Sequence, residues 1–196
     1  MTDTEHERLG VYPGSFNPLT TGHLAIADAA RQAHGLTRVE LTVSTLALAK
    51  EDVAHPRFEH RIEVLQTAVA SVEWLDLRVT ELQLLADIAE GYQVLIVGAD
   101  KWLQIQDPVW YDDDPAQRDA ALATLPAVAI APRDGLETPA AQTLAVDQSL
   151  TAGVSSTAAR NGNTDLMVPA ARDFAERTGA WIDVARYDRW AASQSI

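Results

Sequence analysis

The segment that follows the first apolar stretch of the chain carries residues suited to binding a phosphate. Residues 14–23 read Gly-Ser-Phe-Asn-Pro-Leu-Thr-Thr-Gly-His. Thr20 or Thr21 can cap a helix that begins near Gly22. His23 then falls in the first helical turn, beside backbone N–H groups that have no partner within the helix. The pattern predicts an anion site at this helix start, with His23 donating a hydrogen bond to a phosphate oxygen.

A second segment, near residue 155, has a similar character. Residues 154–160 read Val-Ser-Ser-Thr-Ala-Ala-Arg. Ser155 or Ser156 can cap a helix, and their hydroxyls and N–H groups would form a cradle for an anion. Ser156 and Arg160 are four residues apart and therefore share a helix face. Arg160 can then reach a phosphate bound at that helix start, with the geometry that a guanidinium suits best.

Apolar stretches of β type alternate with helical patterns along the chain, and the alternation predicts how these segments are positioned. We expect strands over 9–12, 39–43, 74–79, 93–97, 127–130 and 142–146, and helices over 22–34, 58–72 and 169–178. This order predicts an α/β fold: a Rossmann-like, doubly wound parallel sheet with helices on both faces. No linker or repeat divides the sequence, so we expect a single domain over residues 1–196. In such sheets ligands bind beyond the carboxyl ends of the strands.

Composition excludes several classes of site and partner. The chain has no cysteine, which excludes disulfides and thiolate sites. A net charge of −13 argues against nucleic acid as the main partner, although local cations and helix starts can still bind small nucleotides. No apolar run approaches a membrane span and the start lacks a secretory pattern, so we expect no membrane contact and a cytoplasmic location. The oligomeric state stays open, with a homo-oligomer as one alternative.

The two segments together resemble the signatures of a known family. The first is similar to the Gly-x-Phe-x-Pro-x-(His/Thr)-x-Gly-His signature of the nucleotidyltransferase superfamily. The second is similar to the Ile-Ser-Ser-Thr-x-x-Arg motif of nicotinate/nicotinamide mononucleotide adenylyltransferases, with Val154 in place of isoleucine. A chance match to the first signature in a chain this long is on the order of one in 100,000. The chain is therefore identified, by resemblance, as a member of this superfamily.

The resemblance extends at lower specificity over nearly the whole chain and implies further ligand contacts. Gly98-Ala99-Asp100 matches a family Gly-Ala-Asp, although Asp100 taken alone could simply cap a helix. The residues whose matches imply ATP contacts are Gly14, Ser15, Phe16, Gly22, His23, Gly98, Asp100, Ser155, Ser156, Thr157 and Arg160. Those whose matches imply acceptor contacts are Lys50, Arg61, Trp110 and Arg133. The residues alone leave two other interpretations open. Lys50 fits a solvated surface charge, and Trp110 fits the core as well as it fits an acceptor pocket.

The activity that the resemblance implies is transfer of AMP from ATP to nicotinate or nicotinamide mononucleotide, with release of pyrophosphate, in NAD biosynthesis. An acceptor phosphate is already ionised near pH 7, so this chemistry needs positioning and charge stabilisation rather than a covalent nucleophile. The residues expected to carry it are His23, Thr20, Lys50 and Arg160. Mg²⁺ would arrive on the phosphates with most of its waters, and no protein ligand is assigned to it. The run Asp112-Asp113-Asp114 reads as an acidic loop.

Two departures from the family pattern leave the acceptor open. Thr20 stands where the pyridine-nucleotide enzymes usually have histidine, and threonine is usual in the pantetheine and cytidylyl branches. Residues 81–91 are short and lack the Ser-Tyr-Thr-like segment and full helix that bacterial members carry there. The alternatives are adenylyl or cytidylyl transfer to another phosphorylated acceptor such as phosphopantetheine, and a nucleotide-binding module without turnover. A dinucleotide-dependent dehydrogenase is disfavoured because no Gly-x-Gly-x-x-Gly turn follows a strand.

Overall fold

A five-stranded parallel sheet forms the centre of the molecule. The structure, a computed structural model, describes residues 7–46, 55–133 and 135–194. The strands are β1 (Leu9–Pro13), β2 (Arg38–Ser44), β3 (Leu75–Thr80), β4 (Val94–Gly98) and β5 (Ala127–Ala131), in the spatial order β3-β2-β1-β4-β5. The chain moves outward from β1 through β2 to β3, then crosses back and continues through β4 to β5. The strand order therefore reverses between β1 and β4, which is the place where such sheets bind ligands.

Helices connect the strands and cover both faces of the sheet. They are α1 (Thr21–His34), α2 (Phe58–Val69), α3 (Leu85–Ile88), α4 (Ala99–Gln104), α5 (Pro115–Ala123), α6 (Gln148–Thr151), α7 (Ser156–Arg160), α8 (Pro169–Thr178) and α9 (Val184–Ser193). Across the described ranges, every helix is too short or too polar to cross a membrane. The predicted doubly wound α/β fold is confirmed.

The two faces of the sheet bury separate apolar clusters because successive strand residues point to opposite sides. The first face carries Tyr12, Val39, Leu41 and Ile96 and packs against α1, α2, α8 and α9. The second carries Val11, Leu95, Val97, Val128 and Ile130 and packs against α3 and α4. The second cluster includes no residue of β2 or β3, so only the β1, β4 and β5 part of that face is apolar.

Most element boundaries agree with the sequence patterns, but one predicted strand is wrong. Residues 142–146 form a single bridge, Thr143 with Ile130, rather than a strand. Two hydrogen bonds hold it, from the Ile130 N–H to the Gln142 carbonyl and from the Leu144 N–H to the Ile130 carbonyl. The stretch has a β-type sequence, yet Leu144 is its one buried residue. The other four residues therefore gain little burial that would favour a longer pairing with β5. The helix predicted over 58–72 ends at Val69.

Candidate nucleotide site

The loop after β1 is folded tightly around the ring of Phe16. This residue is buried and adopts a φ of 44°, a left-handed conformation that costs a residue with a side chain roughly 1–2 kcal/mol. Its ring lies edge-on to Tyr12, with centroids 5.5 Å apart, and edge-on to His23 at 5.3 Å. A Cβ on Gly14 would lie 2.8 Å from the Phe16 ring. Glycine is therefore needed there for the loop to close, and Ser15 beside it is exposed.

Thr20 and His23 cap the start of α1 reciprocally. The Thr20 side chain accepts from the His23 N–H, and the Thr20 N–H donates to His23 Nδ1 at 3.1 Å. Thr20 Oγ1 also lies 2.7 Å from Nδ1. Because Nδ1 accepts the backbone N–H, the neutral imidazole carries its proton on Nε2. The cap thereby fixes one tautomer and presents a donor on the far side of the ring.

The imidazole of His23 is neutral at pH 7. Burial, and to a smaller extent the positive charge of Arg133, lowers the pKa of His23 from 6.5 to about 4, although part of the side chain stays exposed. Burial likewise raises the pKa of Tyr12, whose ring centroid lies 6.3 Å from that of His23. His23 is thus a hydrogen-bond donor in a poorly hydrated setting, where contact with an anion is stronger than in water.

The late segment docks directly onto the loop after β1. Ser155 caps α7, accepting from the Ala158 N–H at 3.0 Å. Ser156 Oγ donates to the Pro18 carbonyl at 2.8 Å, and Arg160 Nη1 donates to the Asn17 carbonyl. These contacts join segments that are more than 130 residues apart, and they bring Arg160 to the loop that leads into His23.

Arg160 remains available to a ligand despite these contacts. Its second nitrogen, Nη2, donates to Thr157 Oγ1 at 3.1 Å, and both residues are exposed. A close approach of the two segments is also built in at Gly22, where a Cβ would lie 2.9 Å from Val154 Cγ1. The guanidinium is therefore oriented by one carbonyl and one hydroxyl, neither of which neutralises its charge.

A further cation and a carboxylate lie at the ends of β4 and β5. Arg133 Nη1 is 3.3 Å from Asp100 Oδ2, with side chains 56% and 57% exposed. A pair this exposed contributes little to stability, so both groups can exchange their partner for a ligand. A Cβ on Gly98 would lie 2.6 Å from Asp100 Oδ1, and glycine therefore lets the carboxylate fold back over the strand end.

Three predicted acceptor residues lie elsewhere or outside the described ranges. Lys50 lies outside the described residues. Arg61 is buried on α2, with its guanidinium 5.3 Å from the Phe58 ring centroid. Trp110 lies in a 3-10 turn, Pro108–Tyr111, and lines a small cavity whose described lining includes none of the loop, α7 or Arg133 residues. Acceptor contacts from these three residues stay predictions.

Asn17 is a site residue that the sequence patterns did not single out. It is buried, its Oδ1 accepts from Trp181 Nε1 at 2.5 Å, and its carbonyl accepts from Arg160. It therefore links the loop to both the late segment and the C-terminal region. Its place directly before Pro18 in the motif was the available signal, but its partners are distant in sequence.

Comparison with known proteins identifies the family of the chain. Residues 11–162, more than half of the chain, match the family model described as cytidylyltransferase-like. The chain belongs to the cytidylyltransferase-like family. Within it, the chain is similar to a probable nicotinate-nucleotide adenylyltransferase of Bordetella parapertussis, with 30% identity over 141 residues that cover 67% of this chain and 71% of the relative. The superfamily recognised from the two motifs is thereby confirmed, and its named relatives are nucleotidyltransferases.

Other proteins are similar to the chain over shorter stretches or in fold alone. A probable nicotinate-nucleotide adenylyltransferase of Streptococcus pyogenes serotype M3 is 32% identical over 84 residues, which are 41% of this chain and 39% of the relative. The chain thus spans about two fifths of the length of the streptococcal relatives it matches. Plasmodium falciparum nicotinic acid mononucleotide adenylyltransferase, solved in complex with APC, has a TM-score of 0.56 over 90% of this chain and 98% of that one. At 13% identity, this likeness shows the shared fold.

Proposed function

We propose that the protein transfers AMP from ATP to nicotinate mononucleotide and releases pyrophosphate. The observation that carries the proposal is the docking of α7 on the loop after β1, because it joins Arg160 to the loop that leads into the cap of the His23 donor. A neutral donor and an unneutralised guanidinium at one sheet edge suit a triphosphate. The relatives' names supply the acceptor.

The reaction is an in-line displacement at the α-phosphorus of ATP. An oxygen of the acceptor phosphate forms a bond to the α-phosphorus while the bond to the bridging oxygen of the β-phosphate breaks. Pyrophosphate leaves with the electron pair, and no proton has to be removed from the ionised acceptor. The protein therefore contributes alignment and stabilisation of charge on the phosphoryl oxygens.

Each site residue has a distinct part in this displacement. His23 donates from Nε2 to a phosphate oxygen as negative charge moves toward the leaving group. Thr20 orients that ring, and Arg160 neutralises the phosphates from the side of α7. Ser156 sets the position of α7, because its hydroxyl donates to the Pro18 carbonyl. Ser155 accepts from the Ala158 N–H and keeps its own O–H to donate to a phosphate oxygen.

The remaining predicted contacts surround the nucleotide. We propose that Asp100, at the end of β4, accepts from the ribose hydroxyls, and that Arg133 exchanges its partner Asp100 for the acceptor phosphate. The described residues contain no group of three or more His, Asp or Glu side chains that could hold a metal ion. Mg²⁺ is therefore proposed to enter on the triphosphate oxygens with its waters, and we assign no step to a protein-bound ion.

Thr20 and the short connection between β3 and β4 favour a second candidate acceptor, phosphopantetheine. Thr20 is the residue usual in the pantetheine and cytidylyl branches, and the connection between β3 and β4 contains only the four-residue helix α3. That connection is where the bacterial pyridine-nucleotide enzymes carry the segment that shapes their acceptor pocket. Adenylyl transfer to phosphopantetheine, or cytidylyl transfer from CTP, is therefore the alternative that an assay must distinguish from transfer to nicotinate mononucleotide.

The test is pyrophosphate release by the purified chain with Mg²⁺ and ATP or CTP, offered nicotinate mononucleotide, nicotinamide mononucleotide and phosphopantetheine in turn. We expect release above the acceptor-free background with ATP and nicotinate mononucleotide. His23→Ala should lower kcat roughly 10²- to 10³-fold, as for the loss of one preorganised donor. His34→Ala, in the last turn of the same helix, is the matched control. Turnover that survives His23→Ala, or release only with another acceptor, would contradict the proposal.

A further inference from the structure

The outer edge of β3 is open. β3 is the last strand in the sheet order, and within the described ranges no other strand or bridge pairs with its outer side. Val79 is 43% exposed, and the Asp76 side chain, although paired with Arg38 of β2, is 46% exposed. An open edge is a row of unpaired backbone groups that can accept another strand.

The ladder between β2 and β3 determines which backbone groups point outward. The Val39 N–H donates to the Trp74 carbonyl and the Thr45 N–H donates to the Thr80 carbonyl. Because a parallel ladder alternates, the even-numbered residues of β3 direct both backbone groups toward β2. Leu77 and Val79 therefore direct their N–H and carbonyl groups away from the sheet, while the Leu75 N–H is bonded to the Val72 carbonyl.

The side chains of β3 are complementary to themselves when the strand is reversed. Residues 75–80 read Leu-Asp-Leu-Arg-Val-Thr. If two copies lie antiparallel about a two-fold axis through Leu77, Asp76 of each stands opposite Arg78 of the other. On the opposite face, Leu75 then stands opposite Val79. Opposite charges and paired aliphatic side chains are the cross-strand combinations that stabilise antiparallel sheets.

The face that carries these charges is polar across both outer strands. Residues at alternating positions of β2 and β3 on that face are all polar: Arg38, Glu40, Thr42, Ser44, Asp76, Arg78 and Thr80. The four-residue α3 packs against β1. Tyr92, which packs against the apolar cluster of the same face, bonds to this polar part. Its hydroxyl donates to Glu40 and accepts from Arg78 Nη1 at 3.3 Å. On this face Thr42 is buried, and the other polar side chains of the two outer strands remain at least partly exposed next to the open edge.

We propose that this edge is a homodimer interface, in which two copies of the chain pair antiparallel through β3 and form one continuous sheet. The Leu77 residues exchange two backbone hydrogen bonds, and each Val79 N–H donates to the partner copy's Leu75 carbonyl, giving about four such bonds. Charged side chains are one of the devices that protect an edge from association. Here the two charges are opposite and equidistant from Leu77, which attracts a second copy instead of repelling it.

The test uses charge reversal and mixing, read by light scattering after size exclusion. The wild type should have twice the 21.3 kDa mass of one chain. Asp76→Arg places two pairs of like charges at the interface, as does Arg78→Asp, and each should weaken dimerisation by at least about 100-fold. An equimolar mixture of the two variants should restore the dimer, because a strand with two cations then faces a strand with two carboxylates. Arg118→Asp on α5 makes the same change in net charge as Arg78→Asp and should leave the dimer intact.

A second measurement needs no substitution. In the dimer the Leu77 amide is hydrogen-bonded, whereas in the monomer it faces solvent, so its hydrogen exchange should slow as protein concentration rises. A monomeric wild type at high micromolar concentration would overturn the proposal. So would a dimer that persists in both single variants, a mixture of folded variants that stays monomeric, or a Leu77 amide whose exchange does not depend on concentration.

Discussion

His23 is a donor with a fixed orientation because a neighbouring residue satisfies its other ring nitrogen. Nδ1 accepts from the Thr20 N–H, and Thr20 Oγ1 lies 2.7 Å from the same atom. A serine at position 20 could make the same contacts, whereas alanine keeps only the backbone bond. Thr20 thus holds the histidine of the motif in one orientation.

Replacing Thr20 by alanine should therefore affect both stability and turnover. Loss of the cap should lower the free energy of unfolding by about 1 kcal/mol, and a less well oriented His23 should lower kcat more than it raises KM for ATP. Urea unfolding and initial-rate kinetics measure the two effects. Thr20→Ser is the matched control and should behave nearly as wild type. Equal behaviour of the alanine and serine variants would show that the hydroxyl does not orient the ring.

The depressed pKa of His23 gives the stability a pH dependence that can be measured without ligand. In the unfolded chain the imidazole takes up its proton near pH 6.5, but in the folded protein it does so only near pH 4. Between these values the unfolded state binds more protons, so the free energy of unfolding falls as the pH falls from about 6.5 to about 4. The loss is at most about 3 kcal/mol, since part of the ring stays exposed.

Chemical denaturation across this pH range checks that effect by comparing wild type with His23→Gln. The glutamine variant has no group titrating at position 23, so its stability should decline less than that of wild type between pH 6.5 and 4. The two proteins share every other titratable group. Parallel declines would mean that His23 is protonated alike in the folded and unfolded states.

The sequence predicted the residues whose contacts are local, but not the contacts between residues that are distant in the chain. Thr20, His23, Ser156 and Arg160 were predictable because their motif spacing and helix-start chemistry are local. Asn17 was not, since its partners Trp181 and Arg160 are more than 140 residues away along the chain. The Arg133 contact with Asp100 was likewise beyond the patterns, because it needs the observed order of β4 and β5.

Among the secondary elements, the junction of α1 with the segment before α7 holds the site together. Gly22 is buried in the first turn of α1, and its missing side chain is what allows Val154 to approach. Together with the Ser156 contact to Pro18, this fixes α7 on the loop after β1. Since α7 has only five residues, its position depends on these contacts rather than on its own helical stability.

Gly22→Ala should push the two segments apart. The new Cβ would lie 2.9 Å from Val154 Cγ1, so we expect a KM for ATP raised about tenfold or more and a loss of roughly 1–3 kcal/mol from overpacking. Val154→Ala in the same chain removes that methyl group. It should bring both the KM for ATP and the free energy of unfolding back towards their wild-type values. Kinetics and urea unfolding of the single and double variants provide the comparison. A single variant that behaves as wild type would show that the approach is not needed.

Element type was predictable wherever pattern and burial agreed. The five strands and the helices α1, α2 and α8 follow apolar patterns that the sheet and its cores bury. The strand predicted over 142–146 is wrong because β propensity alone does not provide a partner strand. Among the described residues, this stretch pairs with the sheet at one position, Ile130. The short helix α5 was not predicted, although Asp114 followed by Pro115 is a helix-start signal, because the acidic run was interpreted only as a loop.

In the whole molecule, the strand order explains why the site lies where it does. β1, β4 and β5 end at the same edge and supply the loop after β1, Asp100 and Arg133, while β2 and β3 extend to the other side. The doubly wound fold was predictable from the alternation of strands and helices. The polar half of one face was not, because it depends on which strands become neighbours in the order β3-β2-β1-β4-β5.

The central claim is that His23 and Arg160, although distant in sequence, bind one triphosphate. The affinity of a non-hydrolysable ATP analogue for wild type, His23→Ala and Arg160→Ala, measured by calorimetry in the presence of Mg²⁺, tests it most directly. Each substitution removes a hydrogen bond to a charged group, worth about 1.5–3 kcal/mol, so each should weaken binding by at least about tenfold. Wild-type affinity in either variant would mean that the two segments meet without sharing a nucleotide.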